Sequence, residues 1–232
     1  MKGTPFRTGS RTRGRIMEIK ICGITRREDA RIAASLGVDA VGFVFYPKSP
    51  RHVDRETARD LAAALPESVA GVGVFVDEPA ERVLEVARFC RLTHVQLHGR
   101  ETPEEVAALE AQGLRVIKAL FINRAPGLDV QERYHPTAFL VECAGVSLPG
   151  GNALAWDWAS VKDRVRHRPM ILAGGLAPGN VAEAARAARP NAVDVSSGVE
   201  KRPGEKDAKK MEAFVNAVRR LSPSAAEGRI FS

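Results

Sequence analysis

Cysteine is scarce in this chain: Cys22, Cys90 and Cys143 are its three thiols among 232 residues. No two of them form a C-x-x-C pair and the number is odd. The sequence therefore offers neither a disulfide framework nor a zinc site, and a reducing cytoplasm is the expected compartment. Long hydrophobic runs are also missing: no stretch approaches the ~18 consecutive apolar residues of a membrane span, and residues 1–15 lack the apolar centre of a secretory signal. No Pro/Ser-rich linker divides the chain. Acidic residues are absent from residues 1–15, where Lys2, Arg7, Arg11, Arg13 and Arg15 supply five of the seven net positive charges. The rest is close to balanced and nowhere interleaves aromatic with basic residues, which argues against nucleic acid as a partner.

The basic head at 1–15, rich in Gly, Ser and Thr, reads as a disordered extension. Met17 stands at the start of the first strand, so an upstream start assignment is one reading of the head. Organelle targeting is another, weakened by its poor apolar content. From residue 16 to 221 short β-rich runs alternate with helical patterns, with a C-terminal tail at 222–232. Strands are expected at Ile16–Cys22, Ala40–Phe45, Gly71–Val76, His94–Leu97, Arg115–Phe121, Ala138–Glu142, Met170–Ala173 and Ala192–Val195. Helices are expected near 26–36, 54–64, 79–89, 103–112, 157–164, 178–188 and 207–221, with a weak one at 126–134. Eight β/α units in this length close naturally into a single-domain (β/α)8 TIM barrel. A doubly wound sheet would need fewer strands and a glycine-rich nucleotide turn after strand one, where Cys22-Gly23-Ile24-Thr25 stands instead.

In such a barrel the chemistry lies at the C-terminal ends of the strands, and phosphate commonly binds after strands seven and eight. Two glycine-bearing segments fall there, Ala173-Gly174-Gly175-Leu176 and Asp194-Val195-Ser196-Ser197-Gly198. Glycines let backbone N–H groups approach an anion, serine hydroxyls add donors, and a following helix start adds its positive end. Either segment alone reads as a tight turn; two at successive strand ends point to a phosphorylated ligand. The other strand ends carry Cys22, Arg51, Asp77, Gln96, His98, Lys118, Glu142 and Asp194. A thiol and a carboxyl group across a barrel mouth can serve as base and acid, and Arg51 can hold an acidic group. Lys118 could equally neutralise a carboxylate inside the barrel, and His94 is expected to face the helix layer. A lone buried cysteine is more often core than catalyst, which is the reading for Cys90.

An ordered set of segments from residue 20 to 207 resembles the phosphoribosylanthranilate isomerases of tryptophan biosynthesis. It comprises Lys20-Ile21-Cys22-Gly23-Ile24-Thr25, Gly42-Phe43-Val44-Phe45 with Ser49-Pro50-Arg51, Val72-Gly73-Val74-Phe75-Val76 and Val95-Gln96-Leu97-His98-Gly99. It continues through Val116-Ile117-Lys118-Ala119, Asp157-Trp158, Leu172-Ala173-Gly174-Gly175-Leu176, and Asp194-Val195-Ser196-Ser197-Gly198-Val199-Glu200, ending at Pro203-Gly204 before Lys206-Asp207. The resemblance implies an Amadori rearrangement of N-(5′-phosphoribosyl)anthranilate to 1-(2-carboxyphenylamino)-1-deoxyribulose 5-phosphate, without metal or organic cofactor, in a cytoplasmic monomer or homodimer.

Carried over from the family, Cys22 is the general base that removes the C2 proton, and Glu142 is the acid that protonates the ribose ring oxygen. Arg51 and Asp194 then place the anthranilate end and the sugar, with Gln96 and His98 facing the same mouth. Gly174, Gly175, Ser196, Ser197 and Gly198 line the phosphate site. Two departures stand out: the family's usual acid is Asp, and Gly150-Gly151-Asn152-Ala153 carries Ala where a third glycine is common. A Glu near ~4.3 and a Cys near ~8.5 have the wrong protonation states at neutral pH, so the site is expected to raise the acid and lower the thiol. The alternatives are the histidine-pathway isomerase, which carries Asp where Cys22 stands, and a non-catalytic phosphosugar-binding barrel.

Overall fold

Alternation along each strand decides which residues fill the centre of this molecule. The computed structural model describes residues 17–143, 156–221 and 229–231. Eight parallel strands close a barrel in sequence order: β1 (Glu18–Cys22), β2 (Ala40–Val44), β3 (Ala70–Phe75), β4 (His94–Leu97), β5 (Arg115–Phe121), β6 (Ala138–Glu142), β7 (Met170–Leu172) and β8 (Ala192–Val195). The circle closes where β8 pairs with β1, Lys20 standing in register with Asp194. Because successive side chains point to opposite faces, Ile19, Ile21, Val41 and Phe43 pack outward into the main core. Val72, Ile117, Ala119, Leu140 and Ile171 fill the barrel itself.

The helices are α1 (Arg27–Ser35), α2 (Arg55–Ala62), α3 (Ala80–Cys90), α4 (Pro103–Ala111), α5 (Val181–Ala188) and α6 (Ala208–Arg219). Their starts follow from sequence: Asp54 accepts from the Thr57 amide, Asp207 accepts from the amides of Lys209 and Lys210, and Thr102 and Glu105 close a capping box ahead of Pro103. Two expected helices are shorter than the pattern suggested. Leu128–Arg133 and Trp158–Val161 are single 3₁₀ segments, and Pro126-Gly127 immediately before the first leaves no room for a longer run. A short hairpin, β9 (Glu200–Arg202) with β10 (Glu205–Lys206), follows β8. No helix among the described residues is long and apolar enough to cross a membrane.

The N-terminal end of the barrel is closed by the other end of the chain. Ile230 and Phe231 are 0% and 7% exposed and belong to the barrel-interior cluster. Their amides donate to the Glu18 carboxylate at 2.8 and 3.3 Å, and His94 Nε2 lies 3.0 Å from the Ile230 carbonyl. Two expectations are corrected here. Residues 229–231 are no free tail, because two apolar side chains find the open floor of the barrel. His94 does not face the helix layer: it shares the inward face of β4 with Gln96. Residues 1–15, the Gly150–Ala153 segment and 222–228 lie outside the described residues.

Candidate active site

At the opposite end, the C-terminal residues of the inward faces open onto one cavity of about 700 Å³, counting its mouth. Cys22, Gln96, Glu142 and Asp194 reach it as the last inward positions of β1, β4, β6 and β8; Arg51 and His98 come from the loops after β2 and β4. Gly174, Gly175, Ser196 and Ser197 form the wall contributed by the loops after β7 and β8. The structure thus brings together ten of the eleven proposed site residues. Gly198 is the exception. It does not line the cavity, and a Cβ there would overlap the Leu176 carbonyl. Its lack of a side chain lets the β8 loop lie directly on the β7 loop.

The acid end is ordered by a chain of polar side chains. Gln96 Nε2 lies 2.8 Å from His98 Nδ1, and His98 Nε2 lies 3.0 Å from Glu142 Oε1. With the Gln96 amide donating, His98 carries its proton on Nε2 and donates it to Glu142. The Phe121 ring meets the imidazole edge to face, their centroids 5.5 Å apart. Gly174 makes room for this carboxyl. It has φ +82°, and a Cβ there would stand 3.1 Å from Glu142 Cβ, so a side chain would be strained and would crowd the acid. Glu142 is 3% exposed, and Gln96 Oε1 is buried without a partner among the described residues.

The base end is more densely charged. Lys20, inward on β1 two residues before Cys22, is fully buried and bonds Asp194 Oδ2 at 2.8 Å. Arg51 grips Glu200 with two bonds, Nε to Oε1 at 2.8 Å and Nη2 to Oε2 at 2.7 Å, and Lys206 Nζ reaches the same Glu200 at 2.8 Å. Burial by itself would raise the Glu200 carboxyl, but Arg51 and Lys206 hold it below its usual range. Burial pushes the Cys22 thiol up, further than Lys20 and Lys206 draw it down, and Asp194 adds to the rise. The expected lowering of this thiol is therefore not found; the barrel top is too dry for the two cations to overcome.

Some residues at strand ends serve the frame. Lys118 lies on the outward face of β5, where its ammonium donates to Gly99 O and Glu101 Oε2, both at 2.8 Å. It neutralises a carboxylate, as expected, but between sheet and helix layer. Asp77 has φ +55° and accepts from the Arg100 amide at 2.6 Å, so it braces the loop after β4. Cys90 is core, its thiol donating to the Arg55 carbonyl and pushed up to about 11 by burial. Lys20, Glu200 and Lys206 were missed as site residues. Lys20 had a signal, since i and i+2 share a strand face and Cys22 was already placed.

Residues 19–217 match the family model described as N-(5′-phosphoribosyl)anthranilate (PRA) isomerase. The N-(5′-phosphoribosyl)anthranilate isomerase of Desulfatibacillum aliphaticivorans is 45% identical over 216 residues, which span 93% of this chain and 99% of that one. The crystal structure of phosphoribosyl anthranilate isomerase from Thermotoga maritima superposes with a TM-score of 0.79 at 40% identity, covering 89% of this chain and all of the other. A phosphoribosyl anthranilate isomerase solved in complex with reduced 1-(o-carboxyphenylamino)-1-deoxyribulose 5-phosphate superposes at 0.77 with 39% identity, over 89% of this chain and 100% of that one. The chain belongs to the N-(5′-phosphoribosyl)anthranilate isomerase family.

Proposed function

We propose that this cavity converts N-(5′-phosphoribosyl)anthranilate into 1-(2-carboxyphenylamino)-1-deoxyribulose 5-phosphate, with Glu142 as general acid and Cys22 as general base. The observation that carries the reading is the meeting of a thiol and a carboxyl group in one cavity whose third wall is a paired glycine and serine cup. The substrate phosphate sits against Gly174, Gly175, Ser196 and Ser197, which fixes the ribose between β1 and β6. Gly198 contributes by holding the two loops together.

Glu142 gives its proton to the ring oxygen, the C1–O bond breaks, and the anthranilate nitrogen lone pair forms the C1=N iminium. Cys22, as thiolate, then takes the C2 proton. The C2–H electrons become the C1=C2 bond and the iminium electrons return to nitrogen. The enolamine tautomerises to the ketone, and the two groups regain their starting protonation by exchange with solvent. His98, donating to Glu142 Oε1, keeps that carboxyl aimed. Asp194 Oδ1, buried and unpartnered among the described residues, is placed to accept from a sugar hydroxyl. Arg51 places the anthranilate carboxylate while Glu200 orients its guanidinium. Free cysteines at 22, 90 and 143 favour a reducing, cytoplasmic setting.

The test is turnover of N-(5′-phosphoribosyl)anthranilate by the purified chain and by Cys22→Ser. Loss of a general base lowers kcat by roughly 10²-fold or more while affinity for a phosphate-bearing product analogue holds. An active Cys22→Ser protein removes Cys22 from the mechanism; an inactive parent chain with intact fold favours the non-catalytic binder.

A further inference from the structure

Lys20 is a wholly buried lysine pointing into the barrel, and neither acid nor base step uses it. An ammonium carries three protons; Lys20 donates to Asp194 Oδ2 at 2.8 Å and also meets the Cys22 side chain. Its neighbour on the same face of β1 is Cys22. A glycine, Gly42, stands in register with Cys22 on β2. A Cβ added there would lie 2.7 Å from Cys22 Sγ and 3.3 Å from Lys20 Cε. The thiol and the end of the lysine chain thus flank one vacant side-chain position, which only glycine leaves open to both.

We propose that Lys20 is a positioning residue for the base: its ammonium, anchored by Asp194, is the cation beside which the Cys22 thiolate forms. The proton that leaves Sγ passes to solvent through the open mouth, and the thiolate becomes a stronger acceptor for the ammonium than the thiol. A buried anion is tolerated only when a cation or hydrogen-bond donor faces it. The charged groups facing Sγ are Lys20 from β1, Asp194 from β8 and Lys206 from β10. Lys206 is the weaker candidate, because its protons are committed to Glu200 Oε1, Ser196 O and Ser196 Oγ. Burial works against the charge of Lys20, yet Asp194 and Cys22 hold it above the ordinary lysine range, so it stays an ammonium.

The inference rests on Cys22 being the base, so its test reads the thiolate without turnover. Iodoacetamide alkylates a thiolate with loss of iodide, and peptide mass spectrometry separates Cys22 from Cys90 and Cys143. Rates are followed from pH 7 to 10 in the full chain, in Lys20→Met and in Lys20→Arg. An opposite charge close to an ionisable group moves it by about one to three pH units. Lys20→Met is therefore expected to alkylate at Cys22 at least tenfold more slowly at pH 8, with its midpoint displaced upward. Lys20→Arg recovers most of that loss.

Lys20→Met strands the Asp194 carboxylate in the barrel, and that variant can fail to fold. Lys20→Met/Asp194→Asn removes both charges together and is expected to show a smaller upward displacement. A folded variant of either kind whose Cys22 midpoint equals or falls below that of the parent overturns the inference. That result leaves the role of Cys22 intact, since Cys22→Ser is judged by kcat; conversely, an active Cys22→Ser protein leaves the thiolate measurement valid but irrelevant to catalysis.

Discussion

Replacing Phe231 by Ala tests whether the chain's last residues are part of the barrel. Phe231 is 7% exposed, packs beside Ile230 among the interior residues, and lies 5.9 Å from the His94 ring, centroid to centroid. Emptying a buried Phe site costs about 3–5 kcal/mol, and a position at the barrel floor, at the rim of the core, relaxes more than one at mid-core. A loss of about 2–4 kcal/mol follows. For a domain of this size each kcal/mol corresponds to roughly 2–4 °C in Tm, so a fall of about 5–15 °C is expected. The catalytic mouth is at the other end of the strands, so kcat and KM at 25 °C hold near the parent values. Calorimetry with parallel turnover assays decides the matter. A Tm within 2 °C of the parent would refute the reasoning, because it would show the floor closed without this ring.

Three further outcomes follow from the same geometry. Glu18 is held above its ordinary value near 4.5, burial outweighing the two amides that it accepts. A carboxyl raised in the folded state stabilises fully below its unfolded value and loses that contribution as pH climbs through the folded one. The urea-unfolding free energy of the parent minus that of Glu18→Gln should therefore fall as pH rises upward from about 4.5; a difference that grows instead contradicts the assignment. Gly198→Ala places a methyl group against the Leu176 carbonyl, prising apart the loops of the phosphate cup. Inorganic phosphate should then inhibit at least tenfold more weakly, and unchanged inhibition would show that the cup does not need that contact. Glu142→Asp should lower kcat, because the shorter side chain withdraws from His98 Nε2, now 3.0 Å from Oε1; a rise in kcat would mean that the site is still shaped for the shorter acid.

Period-two alternation made most of this molecule legible. Strands β4, β5, β6 and β8 have the bounds expected from their apolar runs, and the others differ by one or two residues at their ends. The same rule, applied outward from Gln96 and Ile117, places His94 inside the barrel and Lys118 outside it. Residue type alone points His94 and Lys118 the wrong way; the face each shares with its strand neighbours gives the right one. Lys20 was hidden inside a motif valued for its cysteine. What alternation cannot show is pairing at a distance: the Arg51–Glu200–Lys206 cluster joins a loop after β2 to a hairpin after β8. Nor does sequence distinguish Ile230 and Phe231 from any apolar pair near a chain end, since their partner Glu18 is more than two hundred residues away. The short 3₁₀ segments after β5 and β6 replace full helices for a local reason that Pro126-Gly127 signals at the first of them.

The central claim, that Glu142 and Cys22 divide acid and base work across this cavity, meets its most direct test in the kcat of Glu142→Gln. The amide keeps the length of the side chain and the contact with His98 but has no proton of suitable acidity to give to the ring oxygen. Steady-state turnover of N-(5′-phosphoribosyl)anthranilate by the folded variant should show kcat lower by roughly 10²–10⁴-fold with KM little changed, since the proton matters most in the transition state. Undiminished kcat in Glu142→Gln would contradict the account and place the acid elsewhere in the cavity, with Asp194 the first carboxyl to examine.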